Sequence, residues 1–333
     1  MTHRVAAVDC GTNSIRLLIA DIKSESDDLE RSRGASDSAR ASGLPLADLS
    51  REMRIVRLGE GVDRTGRLSE AALDRTMTAL REYAGLIAET KPEAIRMVAT
   101  SATRDAENSQ EFTDRVIDVL GVAPEVISGD EEARLSFAGA TKELIGAPPS
   151  ADDGCPPPYL VTDIGGGSTE FILGGAEGVD NARSVNIGCV RLTERHLHGD
   201  PPLRQEVAET IADIDTALAL AAAEVPVHKA RTLVGLAGSV TTVAAIALGL
   251  DHYDSARIHH SRVSAARVHQ IAAELLAMTR AERAAIPVMH PGRADVIGAG
   301  ALVLDRIMTR FDFAEVLVSE HDILDGIAWS LVP

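Results

Sequence analysis

The sequence predicts an α/β protein of two related domains facing each other across a cleft, and three observations carry that prediction. Short β-branched runs alternate with apolar stripes of helical period along the chain. A strand, turn, strand pattern occurs twice, once in each half. The 333 residues, 45% hydrophobic and 25% charged, have ordinary soluble composition and enough length for two cores.

In order, Val5 to Val8, Ile15 to Ala20, Met53 to Leu58, Ile95 to Thr100 and Glu125 to Ser128 read as strands. Leu73, Met77, Leu80, Ala84 and Ile87 recur at helical spacing behind a candidate N-cap, Ser69, and Phe112, Val116, Val119 and Leu120 form a second stripe. Tyr159 to Ile164, Phe171 to Leu173, Leu233 to Leu236 and Val316 to Ser319 read as further strands. Helices are expected over Leu203 to Leu218, Val268 to Met278 and Val296 to Met308, with another closing the chain. Ser24 to Ser50 and Gly146 to Pro158, crowded with Ser, Asp, Gly and Pro, read as irregular insertions.

Composition excludes several classes. The three cysteines, Cys10, Cys155 and Cys189, show no C-x-x-C spacing, which argues against a disulfide framework or zinc ribbon and for the cytoplasm. No basic-then-apolar leader opens the chain, and Val240 to Leu250 is too short to span a bilayer, so no membrane role is expected. A net charge of −17 argues against nucleic-acid binding, which needs clustered Lys and Arg. A polyanionic substrate must then meet bound metal or a few placed arginines.

The internal repeat locates such a site. Asp9-Cys-Gly-Thr-Asn13-Ser14 followed by Ile15 to Ile19 aligns with Asp163-Ile-Gly165-Gly166-Gly167-Ser168 followed by Thr169 to Leu173. A turn of Gly and small hydroxyl residues lets backbone N–H groups converge on a phosphate oxygen. The Asp at each strand end is placed to hold a hard cation such as Mg2+, and Glu170 joins Asp163 on the returning strand. One such turn alone would be read as hairpin chemistry; two at equivalent places favour phosphate. No Walker A loop is present.

Two segments between the repeats add candidates. Thr100 to Ala106 runs from a strand into a helix with Arg104 at its start, a combination that can grip an anion or can simply be an N-cap. Asp130, Glu131 and Glu132 open another helix, where acidic residues are ordinary dipole partners, yet phosphoanhydride hydrolysis needs one carboxylate to orient water. The residues alone do not choose between Glu131 and Glu132. His259-His260 reads as a solvated pair and His321-Asp322 as a chance dipeptide. Arg293 and Asp295 read as an interface pair or a distal substrate contact.

Five segments stand in the order of one family: Asp9-x-Gly-Thr-Asn-Ser14, Thr100-Ser-Ala-Thr-Arg104, Ser128-Gly-Asp-Glu-Glu132-Ala, Asp163-x-Gly-Gly-Gly-Ser-Thr-Glu170 and Gly235-x-Ala-Gly238-Ser239. From Val5 to about Gly326 the chain resembles the exopolyphosphatase/guanosine pentaphosphate phosphatase (Ppx/GppA) family. The resemblance implies two ribonuclease-H-like domains of the actin and sugar-kinase superfamily, with the active site in the interdomain cleft. The first domain would span residues 1–128 and the second 129–320, with a C-terminal helix in 321–333 packing back on the first.

By resemblance, Glu132 is the general base, Arg104 grips phosphate, and Asp163 and Glu170 serve Mg2+. Gly165, Gly166, Gly167 and Ser168 cradle phosphate, facing Asn13 and Ser14, with Gly238 and Ser239 adding contacts. The implied substrate is inorganic polyphosphate or, alternatively, guanosine pentaphosphate of the stringent response, hydrolysed by a homodimer. A non-hydrolytic alarmone- or polyphosphate-binding regulator is the reading from another class, and a sugar or acetate kinase is less favoured. The chain resembles the short form of the family, without the HD-type module of longer relatives, and carries Leu324 where relatives often have a basic residue.

Overall fold

A computed structural model describes residues 1–23, 46–146 and 155–332. Two sheets organise it. The first contains β1 (Thr2–Cys10), β2 (Ser14–Lys23), β3 (Leu46–Ile55), β4 (Ala94–Ala99) and β5 (Glu125–Val126), in the order β3-β2-β1-β4-β5. The second contains β6 (Tyr159–Ile164), β7 (Thr169–Gly175), β8 (Gly178–Val185), β9 (Thr232–Leu236), β10 (Arg262–Ser264) and β11 (Glu315–Val318), in the order β10-β11-β9-β6-β7-β8. Read from β8, the second sheet repeats the first, with β10 added at its edge. In each, a central strand pairs antiparallel with the strand after it and parallel with the strand that follows a helical crossover. Two ribonuclease-H-like units of the same topology therefore make up the chain.

The longer helices are α1 (Glu70–Thr90), α2 (Ser109–Leu120), α3 (Gly129–Gly146), α4 (Cys189–His196), α5 (Arg204–Glu224), α6 (Ala237–Ala247), α7 (Ala265–Ala277), α8 (Ile297–Phe311) and α9 (Ile323–Trp329). Side-chain alternation along β1 sends Ala6, Val8 and Cys10 to one face, where Leu73, Met77, Leu80 and Tyr83 of α1 and Phe112 of α2 cover them. Val5 and Ala7 point to the other face, against Ile323, Leu324 and Ile327 of α9 and Leu135 of α3. One face of the second sheet is buried under α5 to α8; the other is covered by Ala133, Phe137 and Ala140 of α3.

Helix α3 thus lies between the two sheets, and its crossing with α9 is backbone on backbone. A Cβ on Gly139 would stand 1.8 Å from the Asp322 carbonyl oxygen, and one on Gly326 would stand 2.0 Å from that of Leu135.

The structure departs from the sequence reading in several places. β3 starts at Leu46, inside the stretch read as irregular, and ends before Val56. It is an edge strand with no fully buried residue, so its polar sequence has no apolar run to reveal it. The rest of that insertion, 24–45, lies outside the described residues, as do 147–154 of the second. β8, with the sequence GVDNARSV, and the short β10 carry no strand signal. The apolar stretch from Val240 belongs mostly to α6, uniformly apolar because Val240, Val243, Ala244 and Ala245 are all buried. Among the described residues no helix is long and apolar enough to cross a membrane.

Candidate active site

The repeated turns are built alike. The Gly11 amide donates to the Ser14 carbonyl across 2.9 Å, and the Gly165 amide to that of Ser168 across 3.0 Å. Strand register then pairs Asp9 with Arg16 on one side and Asp163 with Glu170 on the other. The tips meet. A Cβ on Gly166 would fall 2.9 Å from Thr12 Cβ, and one on Gly167 would fall 2.7 Å from Thr12 Oγ1 and 2.8 Å from Ser101 Oγ, so the second turn admits no side chain where it touches the first domain.

Beneath this contact lies a cavity of about 100 Å3 lined by Asp9, Asn13, Ser14, Glu132, Asp163, Gly165, Gly166, Ser168, Gly238 and Ser239. Three expected site residues stand outside that lining. Gly167 is taken up by the domain contact, its carbonyl accepting from Arg191 Nε across 2.7 Å. Glu170 is buried behind the lining and accepts from Ser184 Oγ at 2.7 Å. Arg104, expected to grip phosphate, instead donates through Nη1 to the Ile127 carbonyl (2.9 Å) and to Glu132 Oε2 (3.1 Å).

Neighbouring Glu131 and Glu132 part company. Glu131 faces Arg96 at 3.2 Å, whereas Glu132, one residue on in the first turn of α3, is buried in the cavity wall. Burial first, then Glu170, holds the Glu132 carboxyl well above the usual range, with Arg104 opposing. Asp163 is pushed up to about 8, chiefly by burial and then by Glu170 and Asp322, while Ser136 donates to its Oδ2 across 2.8 Å. Burial also raises Glu170. On the first turn, Arg16 bridges Asp9 Oδ2 (2.7 Å) and Asp322 Oδ2.

Acidic groups thus outnumber nearby cations, and burial also raises the Asp9 carboxyl, with Arg16 opposing. Asp9 Oδ1 and Asn13 Oδ1 are buried without a protein partner in residues that line the cavity. This donor set of hard oxygens fits a divalent cation held by one or two carboxylates and by the substrate's own oxygens. Among the described residues, the three-ligand set with donor atoms within 4.8 Å of one another lies elsewhere, at Glu143, His259 and His321.

Across the cleft, α6 begins at Ala237 in a left-handed conformation (φ 67°), and the Arg293 guanidinium lies against Gly238, where a Cβ would stand 2.3 Å from Arg293 Cζ. The two residues before α8 divide: Arg293 faces the cavity, while Asp295 pairs with Arg57 of the first domain at 2.6 Å.

The family model for the Ppx/GppA phosphatase family matches residues 37–333. The chain belongs to the Ppx/GppA phosphatase family. It is 49% identical to "Exopolyphosphatase 2" of Mycobacterium tuberculosis (strain CDC 1551 / Oshkosh), with 98% of each chain covered. It resembles the crystal structure of an exopolyphosphatase-like protein at a TM-score of 0.87 and 43% identity, covering 98% of each. It also resembles the Aquifex aeolicus member of the Ppx/GppA family, at a TM-score of 0.73 and 29% identity over 99% of this chain and 98% of that one. As a member of this phosphatase family the chain is a phosphoanhydride hydrolase.

Some Ppx/GppA site neighbours escape sequence reasoning. Ser136 could have been found, because it stands four residues after Glu132 on the same helical face. Arg191 carries no local signal, yet it ties Gly167 of the second domain to Asp63 (2.6 Å) and Asp105 (2.5 Å) of the first.

Proposed function

We propose that this phosphatase is an Mg2+-dependent exopolyphosphatase that releases the terminal phosphate of linear polyphosphate. The observation that carries the reading is the buried Glu132 carboxylate opening onto the two paired phosphate turns, with Arg104 fixing one of its oxygens. Backbone amides of the turns and Asn13 would hold the terminal phosphate. Glu132 would take a proton from the attacking water, its proton affinity raised by burial and by Glu170. Asp163 and Glu170 would hold Mg2+, with Asp9 Oδ1 on the same cavity wall as Asp163 a further candidate oxygen, and the ion's charge would offset that of the leaving phosphate. Gly238, Ser239 and Arg293 would receive the remainder of the chain. The enzyme is expected to work in the cytoplasm as a homodimer.

A second reading, guanosine pentaphosphate 5′-phosphohydrolase, is favoured by one observation. A second cavity of about 500 Å3 shares Arg16, Gly238 and Arg293 with the first and has an apolar wall of Met53, Pro287, Val288, Met289 and Tyr253. Such a wall suits a nucleoside better than a uniformly charged polymer. Phosphate release measured with Mg2+ from medium-length polyphosphate and from guanosine pentaphosphate separates the two. Polyphosphate turnover at least about tenfold the more efficient in kcat/KM upholds the first reading. The reverse ratio overturns it, and tight binding of either without release would leave a non-hydrolytic regulator.

A further inference from the structure

Histidines distant in sequence meet at a place the phosphate cleft does not use. His259 and His260 sit between the helical turn Ser255–Ile258 and β10, and His321 lies between β11 and α9. Glu143 of α3 stands among them. Of the pair read as solvated, His260 is exposed, but His259 is part-buried against Glu143: His259 Nε2 is 2.9 Å from Glu143 Oε2, His260 Nε2 is 4.0 Å from it, and His321 Nδ1 is 3.5 Å from Glu143 Oε1. The rings are gathered as well, with centroids 3.8 Å apart for His259 and His260 and 4.6 Å for His259 and His321.

The backbone holds this arrangement in place. His260 adopts φ 59°, unfavourable for a residue with a Cβ, and its amide donates to the Val318 carbonyl across 2.7 Å. In return the Val318 amide donates to Ser261 across 2.9 Å, so the two histidine-bearing loops are fixed side by side.

We propose that Glu143, His259 and His321 form a binding site for a transition-metal dication of the Zn2+ type, separate from the phosphate cleft. Two imidazoles and one carboxylate are the donor set such ions prefer, and a poor set for Mg2+, which favours oxygen. The three donor atoms already lie within 4.8 Å of one another. Ligands about 2.0–2.2 Å from a tetrahedral ion stand roughly 3.3–3.6 Å apart, so closure needs side-chain movement on the order of 1 Å. His260 is adjacent, and water can complete the shell.

Binding has a defined cost. The Glu320 amide points at His259 Nδ1 across 3.2 Å, which leaves the ring proton on Nε2, facing Glu143. An ion on Nε2 moves that proton to Nδ1, and the Glu320 amide must turn aside. Occupancy therefore acts on the segment ending in Asp322, the partner of Arg16 beneath the first phosphate turn. It would also clasp α3, the helix carrying Glu132, to the two loops at one end of the antiparallel β10–β11 pair.

The test uses the full chain, stripped with a chelator and dialysed, without phosphate or polyphosphate, so its outcome is independent of the hydrolytic reading. Zn2+ is titrated calorimetrically, and Co2+ by its ligand-field absorption. We expect one saturable equivalent, with nitrogen-ligated Co2+ spectra. His259→Asn, His321→Asn and Glu143→Gln should each weaken binding by about 10- to 100-fold or more, whereas Asp163→Asn and Cys155→Ser leave it unchanged. Thermal melts of the stripped variants identify any that fails to fold, and the remaining variants decide. No saturable binding to the unmodified chain, or binding that survives His259→Asn with His321→Asn, overturns the proposal. So does binding abolished by Asp163→Asn.

Discussion

Arg104 and Glu132 form a 3.1 Å pair across the junction of the two domains, and the second donor contact of Arg104, to Ile127, fixes the arginine in place. The arginine is thus committed to the carboxylate at the head of α3, and under the proposed mechanism its effect on hydrolysis would pass through that carboxylate. Replacing Glu132 by Gln keeps the volume and an oxygen for Arg104 but removes the proton acceptor. Phosphate release should fall by about 10²- to 10⁴-fold with KM little changed. Melting temperature should stay level or rise, since a buried carboxylate near Glu170 is lost. Turnover equal to that of the unmodified enzyme would remove Glu132 from the mechanism.

Arg104→Gln tests the pairing from the other side. Arg104 lowers the proton affinity of Glu132 against burial and Glu170, which raise it. Without the arginine the carboxyl holds its proton to higher pH, and a base must be ionised to act. The acid limb of the kcat/KM profile should move to higher pH, with activity at pH 7 reduced by about tenfold or more and partly recovered in alkali. A profile lowered equally at every pH would mean instead that Arg104 contacts phosphate.

Much of this site is legible in the sequence because register is arithmetic. Asp163 and Glu170 lie seven residues apart around a tight turn, which makes them cross-strand partners, and the same count brings Arg16 opposite Asp9. The choice of Glu132 over Glu131 was legible only through family resemblance, since both occupy the first turn of α3. Gly167 shows how one residue type serves two demands. Turn chemistry assigns it to phosphate, while the structure presses it against Thr12 and Ser101, and either role excludes a side chain. Glu143, His259 and His321 were illegible because nothing local couples a helix to two loops so far along the chain.

The raised carboxyls predict how Mg2+ and pH combine. Asp163 holds its proton in the fold up to about pH 8, against an ordinary value of 3.8, so between those limits the folded chain binds a proton that the unfolded chain does not. Stability of the ion-free protein should therefore fall as pH rises across that window. Mg2+ favours the ionised carboxylates, so its gain in melting temperature should be small at about pH 5.5 and larger at about pH 8.5. Asp163→Asn should suppress the gain at both. Equal gains at the two pH values would show that Mg2+ binds elsewhere.

The crossing of α3 and α9 ties fold to site and can be tested with two glycines. Alanine at Gly139 would place its Cβ 1.8 Å from the Asp322 carbonyl oxygen, which belongs to backbone that cannot swing away. The helices must separate, at a cost of about 1–3 kcal/mol or more, and either partner that moves carries chemistry. Glu132 lies two turns earlier on α3, and Asp322 holds Arg16. Gly139→Ala should therefore lower both melting temperature and kcat. Gly85, exposed within α1 with nothing within 4 Å of its added Cβ, supplies the contrast. There alanine should stabilise by about 0.5–1 kcal/mol, by restricting the unfolded chain and raising helix propensity, with kcat unchanged. Equal effects from the two substitutions would show that the helix crossing does not position the site.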